Sequence, residues 1–254
     1  MANSLYMVLI KVLYVGVVSC IPLVVGLALF MGVLGSCVGV LLFPMWGALV
    51  LLLALVAWYV EDGLSEGCES LGAESANVVG MGVILFIFSE AMFFIGGLMS
   101  ALMLVEGGWG ESWISVEFNE VPMWISVVLL SSGVSVSQAH NNMLSGSLGG
   151  ALVWMVVTCV LGFTFVLVQV EEWSILPFSV STGLGGGVFF LITGFHGLHV
   201  VVGTLLNVGV VVVMGVGVGS GFMGGMKVEG IIWYWHFVDV VWLFVLLGLY
   251  WYVM

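Results

Sequence analysis

Five side chains stand out because their chemistry is costly where they lie. Glu90 sits in Phe86-Ile87-Phe88-Ser89-Glu90-Ala91-Met92-Phe93-Phe94, a single carboxyl among apolar neighbours. His196 and His199 lie three apart in Gly194-Phe195-His196-Gly197-Leu198-His199. His236 and Asp239 repeat that spacing in Trp233-Tyr234-Trp235-His236-Phe237-Val238-Asp239-Val240-Val241-Trp242. On a helix such pairs share a face, so each can act on one neighbour or within itself. Three chemistries fit: proton handling by carboxyl and imidazole, a hydrogen-bonded tie between helices, or metal ligation. Metal ligation is the poorest fit, because no Cys or carboxylate lies on the turn next to His196 and His199.

The surroundings explain the cost. Of 254 residues, 63% are hydrophobic and 6% charged, so these side chains cannot assemble a water-facing surface, and the solvent must be lipid. An ionised carboxylate at mid-bilayer costs on the order of 2.5 to 3.5 kcal/mol, so Glu90 is expected to be neutral or paired with a polar group of another helix. A structural hydrogen bond, proton handling and contact with a lipid headgroup all satisfy that expectation. His236 and Asp239 are expected to hydrogen-bond on their shared face, as a structural pair or as a proton relay.

Formal net charge is −12, with only Lys11 and Lys227 as cations, which excludes nucleic acid as a partner. Cys20, Cys37, Cys68 and Cys159 share no metal-type spacing and read as small packing residues. Neither a cleavable secretory signal nor an Arg-rich transit peptide stands out.

Runs of about 20 apolar residues separated by polar or Gly-rich breaks predict seven transmembrane helices, over residues 5–30, 38–60, 78–105, 122–139, 148–170, 183–214 and 229–253. They make a single membrane domain over residues 1–254, an all-α membrane protein. Gly32 to Gly39 mark the bend between the first two helices, and Pro122 suits the first turn of the fourth. Ser131, Ser132, Ser135, Ser137 and Gln138, with Gly133, form the small and hydroxyl pattern of helix interfaces in membranes. Glu171 and Glu172 are expected in solvent at the end of the fifth helix. Seven spans put Lys11 and Lys227 on one side, which places the N-terminus on the matrix or cytoplasmic face. The aromatics opening the seventh helix, Trp233 among them, suit the headgroup layer.

Phe195-His196-Gly197-Leu198-His199-Val200 and the string from Trp233 to Phe244 resemble the subunit III family of haem-copper cytochrome c oxidases. So do Ile84 to Glu90, Leu129 to Val136 with Ala139-His140, and Gln169 through Pro177-Phe178. The resemblance covers roughly residues 55 to 254 in order. It implies helices 1–2 separated from helices 3–7 by a V-shaped cleft that holds phospholipids, with Trp58, Tyr59 and Glu66 lining it and Lys227 and Trp233 near headgroups. The family usually has Arg near the exit of the second helix and more basic residues in the last loop, so here fewer cations face the lipid phosphates.

The resemblance also implies a non-catalytic subunit that stabilises subunit I, contacts other complex IV subunits and membrane lipids, and supports proton uptake, with haem and copper in its partners. Glu90, His196, His199, His236 and Asp239 would be its buried polar supports, in the mitochondrial inner membrane. Independently, a haem-copper centre with a second haem needs about six His, which four His cannot supply. Subunit III of a quinol oxidase, a proton-coupled transporter and a pure assembly scaffold are the alternatives. A transporter would be expected to show internal repeats, and none is visible.

Overall fold

A computed structural model describes residues 20–39, 42–66, 73–106, 121–216 and 226–251. Within them the side chains of Trp58, Tyr59, Glu66 and Lys227 lie outside the description, as do Lys11 and the acidic stretch Glu111 to Glu120 altogether. Among the described residues the protein is helical throughout: α1 (Ile21–Val38), α2 (Leu42–Glu66), α3 (Ala73–Glu106), α4 (Val121–Leu144), α5 (Leu148–Ile175), α6 (Gly183–Val216) and α7 (Met226–Val245). A π-helical turn, Leu246–Trp251, continues α7.

Five segments are long and apolar enough to cross a membrane: Gly80–Leu104, Val121–Leu144, Leu148–Ile175, Gly183–Gly215 and Val228–Tyr250. Shorter apolar stretches, Ile21–Gly35 and Leu42–Leu51, lie in α1 and α2. Outward positions such as Phe88, Val134, Phe163, Leu167 and Leu205 are exposed and apolar, as lipid contact requires.

The chain divides into two compact units, residues 1–71 and 72–254. In the first, α1 and α2 pack as a hairpin. Gly32 and Gly35 do not break α1, which runs on to Val38. Gly39 turns the chain with φ +74°, and its N–H donates to the Gly35 carbonyl. A Cβ on Gly47 would stand 2.8 Å from the Ala28 carbonyl oxygen, so the two backbones meet there directly.

In the second unit α7 is the wedge. Trp235 and Trp242 are fully buried. The Trp235 ring lies in a slot between α5 and α6, where a Cβ on either Gly162 or Gly203 would come within 2.7 Å of it. Helix α5 buries Ala151, Met155, Thr158, Gly162, Phe165, Gln169 and Glu172 at alternating steps of four and three, the stripe of a left-handed helix pair. It ends at Ile175 because Leu176 precedes Pro177 and takes the extended conformation, φ −57° and ψ 136°.

Candidate functional site

Glu90 of α3 and His199 of α6 meet at 3.2 Å, Oε2 to Nε2. Rings enclose them: Phe94 and Phe195 have centroids 5.2 and 5.6 Å from His199, and Phe93 lies 4.5 Å from Phe195. The Tyr234 hydroxyl of α7 donates to the His199 carbonyl at 3.4 Å. The carboxyl is screened more than sealed, since the Glu90 side chain keeps 24% exposure against 9% for His199.

Hydrogen-bond accounting sets the protonation of this pair. His199 Nδ1–H donates to the Phe195 carbonyl at 2.7 Å. A neutral imidazole has one N–H, so Nε2 can then only accept. The contact with Glu90 therefore needs one further proton, either on the carboxyl donating to Nε2 or on an imidazolium facing a carboxylate. The two forms differ by the position of a single proton along one 3.2 Å contact.

The second pair shows the same shortage. His236 Nε2 lies 3.1 Å from Ser137 Oγ, whose own proton goes to the Gly133 carbonyl at 2.9 Å, so the imidazole is the donor. Its Nδ1 faces Asp239 Oδ2 at 3.8 Å, close enough for an ion pair and too long for the hydrogen bond expected between them. Asp239 Oδ1 is buried without a partner. The carboxyl fits because α4 carries glycine at 133, where a Cβ would collide with Asp239 Oδ2.

His196 does not join His199. It is 1% exposed, its Nε2–H donates to the Val238 carbonyl of α7 at 3.2 Å, and its Nδ1 has no partner. Phe165 and Trp242 flank the ring at 5.5 and 4.9 Å. The two imidazoles three residues apart thus serve different helices. Among the described residues no three His, Cys, Asp or Glu side chains come together as a metal site.

Ser132 and Ser135, expected at a helix interface, do lie at one, and Ser126, which was not singled out, joins them. Ser126 accepts the Trp242 indole N–H at 2.8 Å, and Ser132 that of Trp235 at 3.0 Å. Ser135 bonds Thr158 of α5 at 2.7 Å. Glu172, expected in solvent beside Glu171, is instead buried with 5% exposure, because it lies one step further along the buried stripe of α5 while Glu171 points outward. Of the residues expected near lipid, Trp233 is half-buried on α7, and the side chains of Trp58, Tyr59, Glu66 and Lys227 lie outside the described residues.

A helical bundle with an apolar outer surface and carboxyl–imidazole pairs at its helix contacts defines a multi-pass membrane protein. Comparison with known proteins narrows that class. The family described as cytochrome c oxidase subunit III matches residues 6–254. Cytochrome c oxidase subunit 3 of Carassius auratus is 36% identical over 217 residues, covering 81% of this chain and 82% of the relative, with the same values for that of Squalus acanthias. That of Xenopus laevis is 34% identical over the same length. The chain belongs to the cytochrome c oxidase subunit III family. The quinol-oxidase and transporter alternatives are not favoured.

Proposed function

We propose that in the mitochondrial inner membrane this subunit does no redox chemistry, fastens to subunit I among the other complex IV subunits, and keeps one exchangeable proton at the Glu90–His199 contact. That proton supports uptake by the neighbouring redox subunit over many turnovers. The observation carrying the proton part is the 3.2 Å contact in which His199 has already spent its own N–H. Haem and copper belong to the partner subunits in this reading. His236 and Asp239 form the second proton-holding pair, and His196 ties α6 to α7. Family membership and the apolar spans support the location, with the N-terminus on the matrix side because of Lys11 and Lys227.

Lipid holding rests on the resemblance and on interfacial chemistry. Trp58, Tyr59 and Glu66 on α2, and Lys227 and Trp233 on α7, are the headgroup contacts, and the V-shaped lipid cleft belongs to the same proposal. With so few cations, Trp N–H and backbone donors take a larger share of the phosphate oxygens.

The test is Glu90→Gln in the intact oxidase, with initial rate and activity followed through many turnovers. Gln keeps a donor for His199 and removes the exchangeable proton. The expected result is a near-normal initial rate followed by faster loss of activity. If initial rate and survival both match wild type, Glu90 is only a tie between helices.

A further inference from the structure

A third carboxyl is buried apart from both imidazole pairs. Glu172 Oε2 accepts two hydrogen bonds, from Gln169 Nε2 at 2.7 Å and from the Tyr250 hydroxyl at 3.3 Å. Glu172 Oε1 and Gln169 Oε1 are both buried without a partner. Exposure is 5% at Glu172, 2% at Gln169 and 1% at Tyr250, so these oxygens lie inside the helix packing and away from the surface. Tyr250 arrives from the π-helical turn Leu246–Trp251, and such widened turns often mark places where a helix serves a function. Phe189 of α6 and Trp242 of α7 hold the phenol ring, with centroids at 5.4 and 6.2 Å.

Among the described residues no cation meets this carboxyl. Lys11 and Lys227 are the only Lys or Arg of the chain. Lys227 lies in the first turn of α7, and Tyr250 stands in the π-helical turn that continues it, roughly 35 Å further along the axis at 1.5 Å per residue. Among the described residues the titratable group bonded to Glu172 from another element is Tyr250, and α6 adds the apolar Phe189 behind it. An ionised carboxylate here would have two donors on one oxygen, none on the other, and an undonated amide oxygen in the same cluster. Two acceptors without a donor describe a place for one proton. A proton on Glu172 Oε1 turns one of the two unpartnered oxygens from an acceptor into a donor and leaves the acid neutral beside Gln169 and Tyr250.

We propose that Glu172 takes up and keeps a proton, and that the neutral acid, bonded to Gln169 and Tyr250, locks the π-helical end of α7 onto α5. The proton comes from water during insertion or assembly, and no bond other than O–H forms. The lock stands independently of any role for Glu90.

The experiment is infrared spectroscopy of the intact oxidase, in light and heavy water, with the wild-type chain, Glu172→Gln and Glu90→Gln. It is paired with the fraction of chain retained through detergent purification for Glu172→Gln and Glu172→Ala. A protonated-carboxyl C=O band that shifts in heavy water, vanishes in Glu172→Gln and persists in Glu90→Gln is expected. Glu172→Gln should be retained like wild type, because its amide supplies the same donor without charge, whereas Glu172→Ala should be lost severalfold more readily. Loss of ionised-carboxylate bands in Glu172→Gln overturns the proposal, and so does retention of Glu172→Gln no better than that of Glu172→Ala.

Discussion

Along the contact of α4 with α7, Trp242 and Trp235 donate indole N–H groups to Ser126 and Ser132, while between α3 and α6 the polar link is Glu90 with His199. The serines also bond their own helix, Ser126 to the Pro122 carbonyl and Ser132 to that of Leu129. Every proton in that arrangement has one owner and one acceptor. At Glu90 and His199 one proton has two. The packing differs in the same sense, since 56% of the apolar window of α7 is buried against 6% for α3. The indole–serine bonds are neutral and fully assigned where α7 is most buried, whereas Glu90 links His199 to a helix with little burial; the His236–Asp239 pair, also on α7, shows that α7 carries both kinds of contact. The first arrangement gives rigidity, and the second can change protonation without dismantling the core.

The strongest way to break this comparison is to empty the slot of α7. Trp235→Ala removes a fully buried ring gripped by α5 and α6 and should cost about 3 kcal/mol or more. The temperature at which the chain leaves the purified oxidase should fall clearly. If the fall matches that of a surface substitution on α3, the α4–α7 contact is not the stiffer region.

Gly133→Ala comes next. Its Cβ would fall on the Asp239 carboxyl, and overpacking of this kind costs about 1 to 3 kcal/mol. On α3, Gly96→Ala meets nothing within 4 Å and should be neutral or slightly stabilising, since Ala is the better helix former. Thermal release of the two variants checks the contrast, and equal losses would erase it. Ser132→Ala is smaller again. It strands the Trp235 N–H, yet interhelical hydrogen bonds in membranes average about 0.6 kcal/mol and reach about 1.7, because the separated helices also find partners. A loss as large as that of Trp235→Ala would mean that the hydrogen bond, and not ring packing, holds the contact.

How much of this could be read from residues alone differs by feature. Apolar runs reveal the helices because lipid demands about 20 such residues in a row. Ends were harder. His140, Asn141 and Asn142 do not stop α4, which runs on to Leu144, and α5 reaches Ile175 because the halt comes from Pro177 and not from the first charged residue. The cost of Glu90 was legible, but its partner was not, since nothing in spacing tells which of two histidines on one face turns toward α3. His196 and His199 diverge because a helix face spans enough arc to meet two neighbours. Glu172 carried a signal that charge obscured. The buried stripe from Ala151 continues through Phe165 and Gln169 to Glu172 at the same steps, so periodicity assigned it to the core while composition assigned it to water. In this bundle periodicity was the better guide.

The smallest expected effect is the most discriminating one. Glu90→Gln should change the thermal release of the chain by less than about 1 kcal/mol. His199 Nε2 is an acceptor by its own hydrogen-bond commitments, and a Gln amide reaches it as a donor in place of the carboxyl. The flanking contacts of Phe93 with Phe195 and of Phe94 with His199 are untouched. Glu90→Leu should be worse, because it leaves Nε2 beside a group that can neither donate nor ionise. If Glu90→Gln instead releases the chain as readily as Glu90→Leu, the native contact is an imidazolium with a carboxylate, held by charge. Equal stability of Glu90→Gln and wild type gives the turnover assay its meaning. Any faster inactivation then comes from the missing proton, because the helix contact is still made.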